Sequence, residues 1–257
     1  MPAILAGIFF VTAILYAAVG FGGGSTYNAL LVLHGADFRI LPAIALACNL
    51  VVVSGGLLRF HRAGLVSVPR LAPFLAASIP AAWVGGRIAV SELYFIGLLG
   101  IALLLSGLRL ATQASPPAST NAAAPTSPTL AFGVGGAIGF ISGLVGIGGG
   151  IFLAPVLYFL NWDSPRRIAA ACSLFILANS LSGLVGQVMK LQDMSILPLI
   201  VPYWPLLVAV LLGGQIGSWF AAKGLQPVIM KRLTALLILY VAARLLYRWF
   251  GLIGLGV

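Results

Sequence analysis

Apolar runs close to twenty residues long, joined by short loops, dominate this chain, and a helix built on such a run is long enough to cross a bilayer. Hydrophobic residues make up 61% of the 257 and charged residues 7%, whereas a soluble domain carries roughly a quarter charged residues. A soluble globular fold is thereby excluded. With a mean hydropathy of +1.13, the chain has material for about seven to nine hydrophobic segments. The expected fold class is an all-α polytopic membrane protein.

Fourteen Lys and Arg face only four acidic residues, giving a net charge of +10. In a soluble protein that excess would suggest a nucleic-acid partner. Here the basic residues sit at the ends of apolar runs, where they meet lipid headgroups and set orientation, so the bilayer is the expected partner and nucleic acid is not. The acidic residues are Asp37, Glu92, Asp163 and Asp193, too few for a catalytic carboxylate pair or a buried proton or Na+ relay. Cys48 and Cys172 form neither a CxxC nor a zinc pattern, and their spacing does not suggest a disulfide. No basic region precedes the first apolar stretch, so the chain is read as mature from Met1.

The stretch 111–129 is uncharged and rich in Ala, Ser, Thr and Pro, the composition of a linker. On either side of it the same order of features recurs. Gly20-Phe21-Gly22-Gly23-Gly24-Ser25 matches Gly146-Ile147-Gly148-Gly149-Gly150-Ile151, Asp37 matches Asp163, and Cys48-Asn49-Leu50 matches Cys172-Ser173-Leu174. A duplicated unit explains several matches in order. The expected organisation is a first transmembrane repeat over 1–110, the linker over 111–129 and a second repeat over 130–257. Each repeat has a glycine-broken segment followed by three apolar segments, at 40–58, 71–90 and 93–108, then 168–189, 195–220 and 233–250.

Loop charges indicate whether the broken segments, 1–33 and 130–160, cross the membrane or turn back. If both cross, the basic residues divide evenly between the two faces. If both turn back, Arg39, Arg87, Lys190, Arg244 and Arg248 stand on one face, and Arg59, Arg62, Arg70, Arg109, Arg166, Arg167, Lys223, Lys231 and Arg232 on the other. The second arrangement obeys the positive-inside rule. It makes each broken segment re-entrant and leaves an odd number of crossings per half, so the halves are inverted relative to one another. It places both chain ends outside a cytoplasmic membrane and the linker in the cytoplasm.

A glycine cluster inside an apolar run suits a helix break that faces protein or a watery cavity. Such a break frees amide N–H groups at the start of the next helix, where the helix dipole favours an anion. Two such starts meeting near the midplane would form an uncharged anion site from Gly22, Gly23, Gly24, Gly148, Gly149 and Gly150. Ser25, Thr26 and Asn28 follow the first cluster, and Asn49 and Ser173 stand at matching repeat positions. Asn179, Ser180 and Gln215 are further intramembrane polar candidates, although each could instead bridge helices. Close packing through small residues is the competing use of glycine, and Gly139 and Gly143 at GxxxG spacing are candidates for it.

Asp37 and Asp163 precede apolar segments, a position suited to capping exposed N–H groups. His34 and His61 lie at segment ends without a second ligand at metal spacing, and Trp162, Tyr203, Trp204 and Trp249 flank apolar runs as an aromatic belt would. No metal and no cofactor is expected. The glycine clusters lack the Lys and hydroxyl order of a phosphate loop, and neither HExxH nor GxSxG occurs, so an enzyme is not expected.

The motifs 19–24 and 143–150, with Arg59-Phe60-His61-Arg62-Ala63-Gly64 in the basic loop, resemble the TauE/SafE family of sulfite exporters across nearly the whole chain. The resemblance implies a membrane permease exporting sulfite or a small organosulfonate, driven by membrane potential or a proton gradient. It carries over to the two glycine clusters and their polar neighbours. Ile151 stands where Ser25 does, so a hydroxyl directly after the glycines exists only in the first half. The alternative expectation is a non-transporting membrane partner that handles or scaffolds a sulfur species through Cys48 and Cys172. The oligomeric state is left open.

Overall fold

The computed structural model describes residues 3–18, 20–112, 127–222 and 227–254. Among these, all regular structure is helical. The first half carries α1 (Ala3–Ala18), α2 (Gly24–Leu33), α3 (Leu41–Arg62), α4 (Val68–Arg87) and α5 (Glu92–Thr112). The second carries α6 (Pro128–Val145), α7 (Gly150–Phe159), α8 (Pro165–Asp193), α9 (Trp204–Ala222) and α10 (Pro227–Leu252). Both glycine clusters interrupt helices, α1 from α2 and α6 from α7.

Six stretches are long and apolar enough to cross a membrane: Leu41–Arg62, Glu92–Thr112, Pro128–Val145, Pro165–Asp193, Leu197–Phe220 and Thr234–Leu252. Helix α4 is not one of them. It carries Arg70, Arg87, Pro73 and Pro80 and packs between α6 and α8. The surface is apolar, with Leu105, Phe132, Leu212 and Leu236 exposed, while Asn28, Asn49, Ser142, Asn179 and Gln187 are buried. Lipid outside and polar groups inside is the distribution a multi-pass membrane protein requires.

Two sequence expectations are corrected in extent. The segment expected over 195–220 opens with a 3-10 turn, Leu197–Tyr203, before α9 begins. Pro198, Pro202 and Pro205 remove the N–H groups that a continuous α-helix would need there. Of the expected linker, 111–112 complete α5 and 128–129 open α6; 113–126 lie outside the described residues.

Glycine spacing fixes how the helices pair. Along α6, Gly135, Gly139 and Gly143 lie against the backbone carbonyls of Phe74, Ser78 and Ala82 on α4. The contacts advance in step, so α6 and α4 run in the same direction. Helices α9 and α1 do likewise, with Gly213 on the Phe10 carbonyl and Gly217 on that of Ile14. Asp163, which follows α7, is ion-paired with Arg70 near the start of α4 at 2.6 Å. The chain thus returns after α7 to the end of α4 beside which α6 begins.

A Cβ at Gly139 would collide with backbone rather than with a flexible side chain. Overpacking alone costs roughly 1–3 kcal/mol. Gly139→Leu is therefore expected to separate α4 from α6 and remove the monodisperse peak in size-exclusion chromatography, whereas Gly133→Leu, where a Cβ meets nothing within 4 Å, leaves the peak intact.

Candidate functional site

Each break ends on a glycine in the left-handed region. Gly23 (φ +92°) precedes α2 and Gly149 (φ +80°) precedes α7. Neither helix start receives a side-chain cap. The opening amides of both helices therefore keep their dipole ends free of any capping side chain.

Asn49, from α3, fills the space between the two breaks. Its amide occupies the positions where a Cβ on Gly22, Gly24 or Gly148 would fall, so only glycine admits it there. Its Nδ2 donates to the Ile147 carbonyl at 3.1 Å. Gly24 itself faces the Gly146 carbonyl, 2.8 Å from where a Cβ would sit. Ile176 of α8 closes the cluster, touching the Cβ positions of Gly22, Gly148 and Gly150.

Two further hydrogen bonds tie one half to the other. Asn28 of α2 donates through Nδ2 to the carbonyls of Val145 at 2.7 Å and Gly146 at 3.2 Å, at the end of α6. In the reverse direction Ser173 of α8 donates to the Gly20 carbonyl at 3.1 Å. The residues matched by the repeat, Asn49 and Ser173, thus each reach into the break of the opposite half. Around them, Asn28 Oδ1, Asn49 Oδ1, Asn179 Oδ1 and Ser180 Oγ are buried without a hydrogen-bond partner among the described residues. Buried polar atoms are usually paired, so these four are exceptions.

The structure brings together Gly22, Gly23, Gly24, Asn28, Asn49, Gly148, Gly149, Gly150 and Ser173. Thr26 instead turns its hydroxyl to Tyr16, at 2.6 Å, and Ser25 is buried. Asn179 donates within α8 to the Phe175 carbonyl. Ser180, 3.0 Å from a Cβ on Gly148, belongs with the cluster. Gln215 lies apart, exposed on α9, where it accepts from Arg59 at 3.0 Å.

Cys48 and Cys172, one residue before Asn49 and Ser173, are free thiols with no exposed surface. The aspartates are held by arginines. Asp37 binds the Arg39 guanidinium and backbone N–H, and the guanidinium bond holds its carboxyl below the usual value of 3.8. Its contribution to stability is therefore present above that value and fades as pH falls through the lower folded-state value. Asp163 accepts from Ser164 N–H at 2.7 Å and from Arg70. Neither aspartate is the N-cap residue, which is Ile40 for α3 and Ser164 for α8. Trp162 departs from the expected belt, being buried beneath the Arg70 guanidinium at 4.4 Å; Trp204 is exposed as a belt residue should be.

An apolar exterior and polar groups gathered around two facing helix breaks define a polytopic helical membrane protein. Residues 4–245 match the family described as sulfite exporter TauE/SafE, and the chain belongs to that family. It is also 35% identical over 245 residues to "Probable membrane transporter protein y4hK" of Sinorhizobium fredii (strain NBRC 101917 / NGR234), covering 95% of this chain and 97% of that protein. No solved structure matches it.

Proposed function

We propose that this protein exports sulfite or a small organosulfonate across the inner (cytoplasmic) membrane as a secondary transporter, without enzymatic chemistry or a cofactor. The observation that carries the reading is Asn49, seated among Gly22, Gly24 and Gly148 beside two uncapped helix starts. In this reading the cluster is the anion site in its closed form. Opening withdraws Asn49 and Ile176 and exposes the amides of α2 and α7 to the substrate. Uncharged donors hold an oxyanion weakly enough for release.

Alternating access would exchange the cross-half bonds of Asn28, Asn49 and Ser173. Residues 1–110 and 130–257 act as two inverted repeats, each opening with a re-entrant hairpin. The parallel course of α4 and α6, with Asp163 returning to Arg70, supports the hairpin in the second half. Both termini then face outward. An inside-negative potential drives an anion outward by about 2.3 kcal/mol per charge per 100 mV, so no carboxylate relay is required.

Counterflow in proteoliposomes tests the substrate class. Trace radiolabelled sulfite should exchange against internal sulfite, with sulfoacetate, thiosulfate and sulfate ranked as competitors. Exchange no faster than in protein-free vesicles for every anion would reject the reading. Because Asp37 and Asp163 are both engaged by arginines, Asp37→Asn and Asp163→Asn are expected to retain exchange; loss in either variant, with the protein folded, would assign it a coupling role.

A further inference from the structure

A cationic group lies away from the glycine breaks, in a cavity of about 150 Å³ lined by Arg39, Phe38, Phe95, Leu144, Lys190 and Met194, among others. That volume is below the roughly 300–1,000 Å³ of drug-sized pockets and suits a small ion. Lys190 is 7% exposed and has no carboxylate within ion-pair distance among the described residues. Its Nζ donates to Gln187 Oε1. The neighbouring charges are already matched: Arg39 with Asp37, and Arg87 with Asp193. Lys190 is thus a buried positive charge without a matching carboxylate among the described residues at this end of the helix bundle.

A buried cation without a counter-charge is costly, and inside a membrane protein it marks an ion pathway. Gln187 joins this charge to the functional cluster. Its Nε2 donates to the Gly143 carbonyl at 2.8 Å, at the end of α6 and just before the second break. Leu144, which lines the cavity, is followed directly by the Val145 and Gly146 carbonyls that Asn28 holds. The cavity and the break therefore share one turn of α6 as their dividing wall.

We infer that this cavity is an anion-binding vestibule in which Lys190 holds a small oxyanion one step from the glycine breaks. Its place in a transport path rests on the anion-export reading; its binding of an anion does not. Leu144 is the barrier between vestibule and break, and Gln187 ties Lys190 to it. On the charge distribution of the loops this end of the bundle faces outward, which makes the vestibule the last station of an exported anion.

The test is titration of sodium sulfite into the detergent-solubilised full chain by calorimetry, with sodium chloride as reference, paired with efflux kinetics. Lys190→Met is expected to weaken sulfite binding roughly tenfold or more, and Lys190→Arg to restore most of it. Met194→Glu provides a second test that leaves the lysine in place: it puts a carboxylate at a half-open cavity position and should weaken binding similarly. Weakened binding in these variants with no efflux from the unmodified protein would keep the vestibule and remove the exporter reading. Unchanged binding in folded Lys190→Met or Met194→Glu, or no sulfite binding by the unmodified protein, would overturn the inference.

Discussion

Replacing Asn49 with leucine is expected to abolish sulfite transport while leaving a folded protein. Leucine has the branched shape of asparagine but cannot donate to the Ile147 carbonyl. The orphaned carbonyl costs about 1–3 kcal/mol. At about 1.4 kcal/mol per tenfold, loss of that bond alone corresponds to roughly 10–100-fold in transport rate if the bond forms and breaks within the cycle. Asn49→Asp keeps the shape and adds a negative charge beside the site, so it should impair anion transport at least as severely. Transport assays on both variants, with size-exclusion chromatography as the folding check, read the result. Near-normal rates in Asn49→Leu would remove this residue from the site.

The second large effect is expected at Gly149. A side chain there meets the left-handed backbone, costing about 1–2 kcal/mol, and the Phe175 ring, 2.8 Å from the Cβ position, adding roughly 1–3 kcal/mol of overpacking. Gly149→Val therefore destabilises by at least about 2 kcal/mol. At roughly 2–4 °C per kcal/mol for a chain of this size, the melting temperature in detergent should fall by about 4 °C or more, with transport lost. The matched substitution Gly23→Val faces the Tyr27 ring instead, at 2.9 Å, and should behave alike. If both variants melt and transport normally, the breaks do not require glycine at these positions.

The sequence alone made much of this visible for a physical reason. Membrane helices must satisfy their backbone internally, so long apolar runs announced them directly, and two glycine clusters inside such runs announced the breaks. The matched positions of Asn49 and Ser173 also pointed to their shared behaviour. Other features depended on which face of a helix meets which neighbour. Gln215 read as an intramembrane polar group that could serve the site or bridge helices, and its bond from Arg59 of α3 makes it a bridge. Trp162 read as an interface residue, yet the guanidinium of Arg70, distant in sequence, covers it. Lys190 ends an apolar run and so reads as a loop charge, whereas the packing of α8 against α3 and α4 goes with its burial.

The same logic explains why glycine serves two purposes here. At Gly139 and Gly143 it allows two helices to touch along their backbones, whereas at Gly22, Gly24 and Gly148 it admits one asparagine side chain. Spacing distinguishes the two uses only after the fact: a four-residue interval follows a helix face, and contiguous glycines break it.

Net efflux of sulfite from proteoliposomes at graded inside-negative potentials tests the central claim most directly. The account predicts saturable efflux that rises with the potential and is lost in Asn49→Leu. Efflux indistinguishable from protein-free vesicles at every potential, from protein shown to be folded, would contradict it.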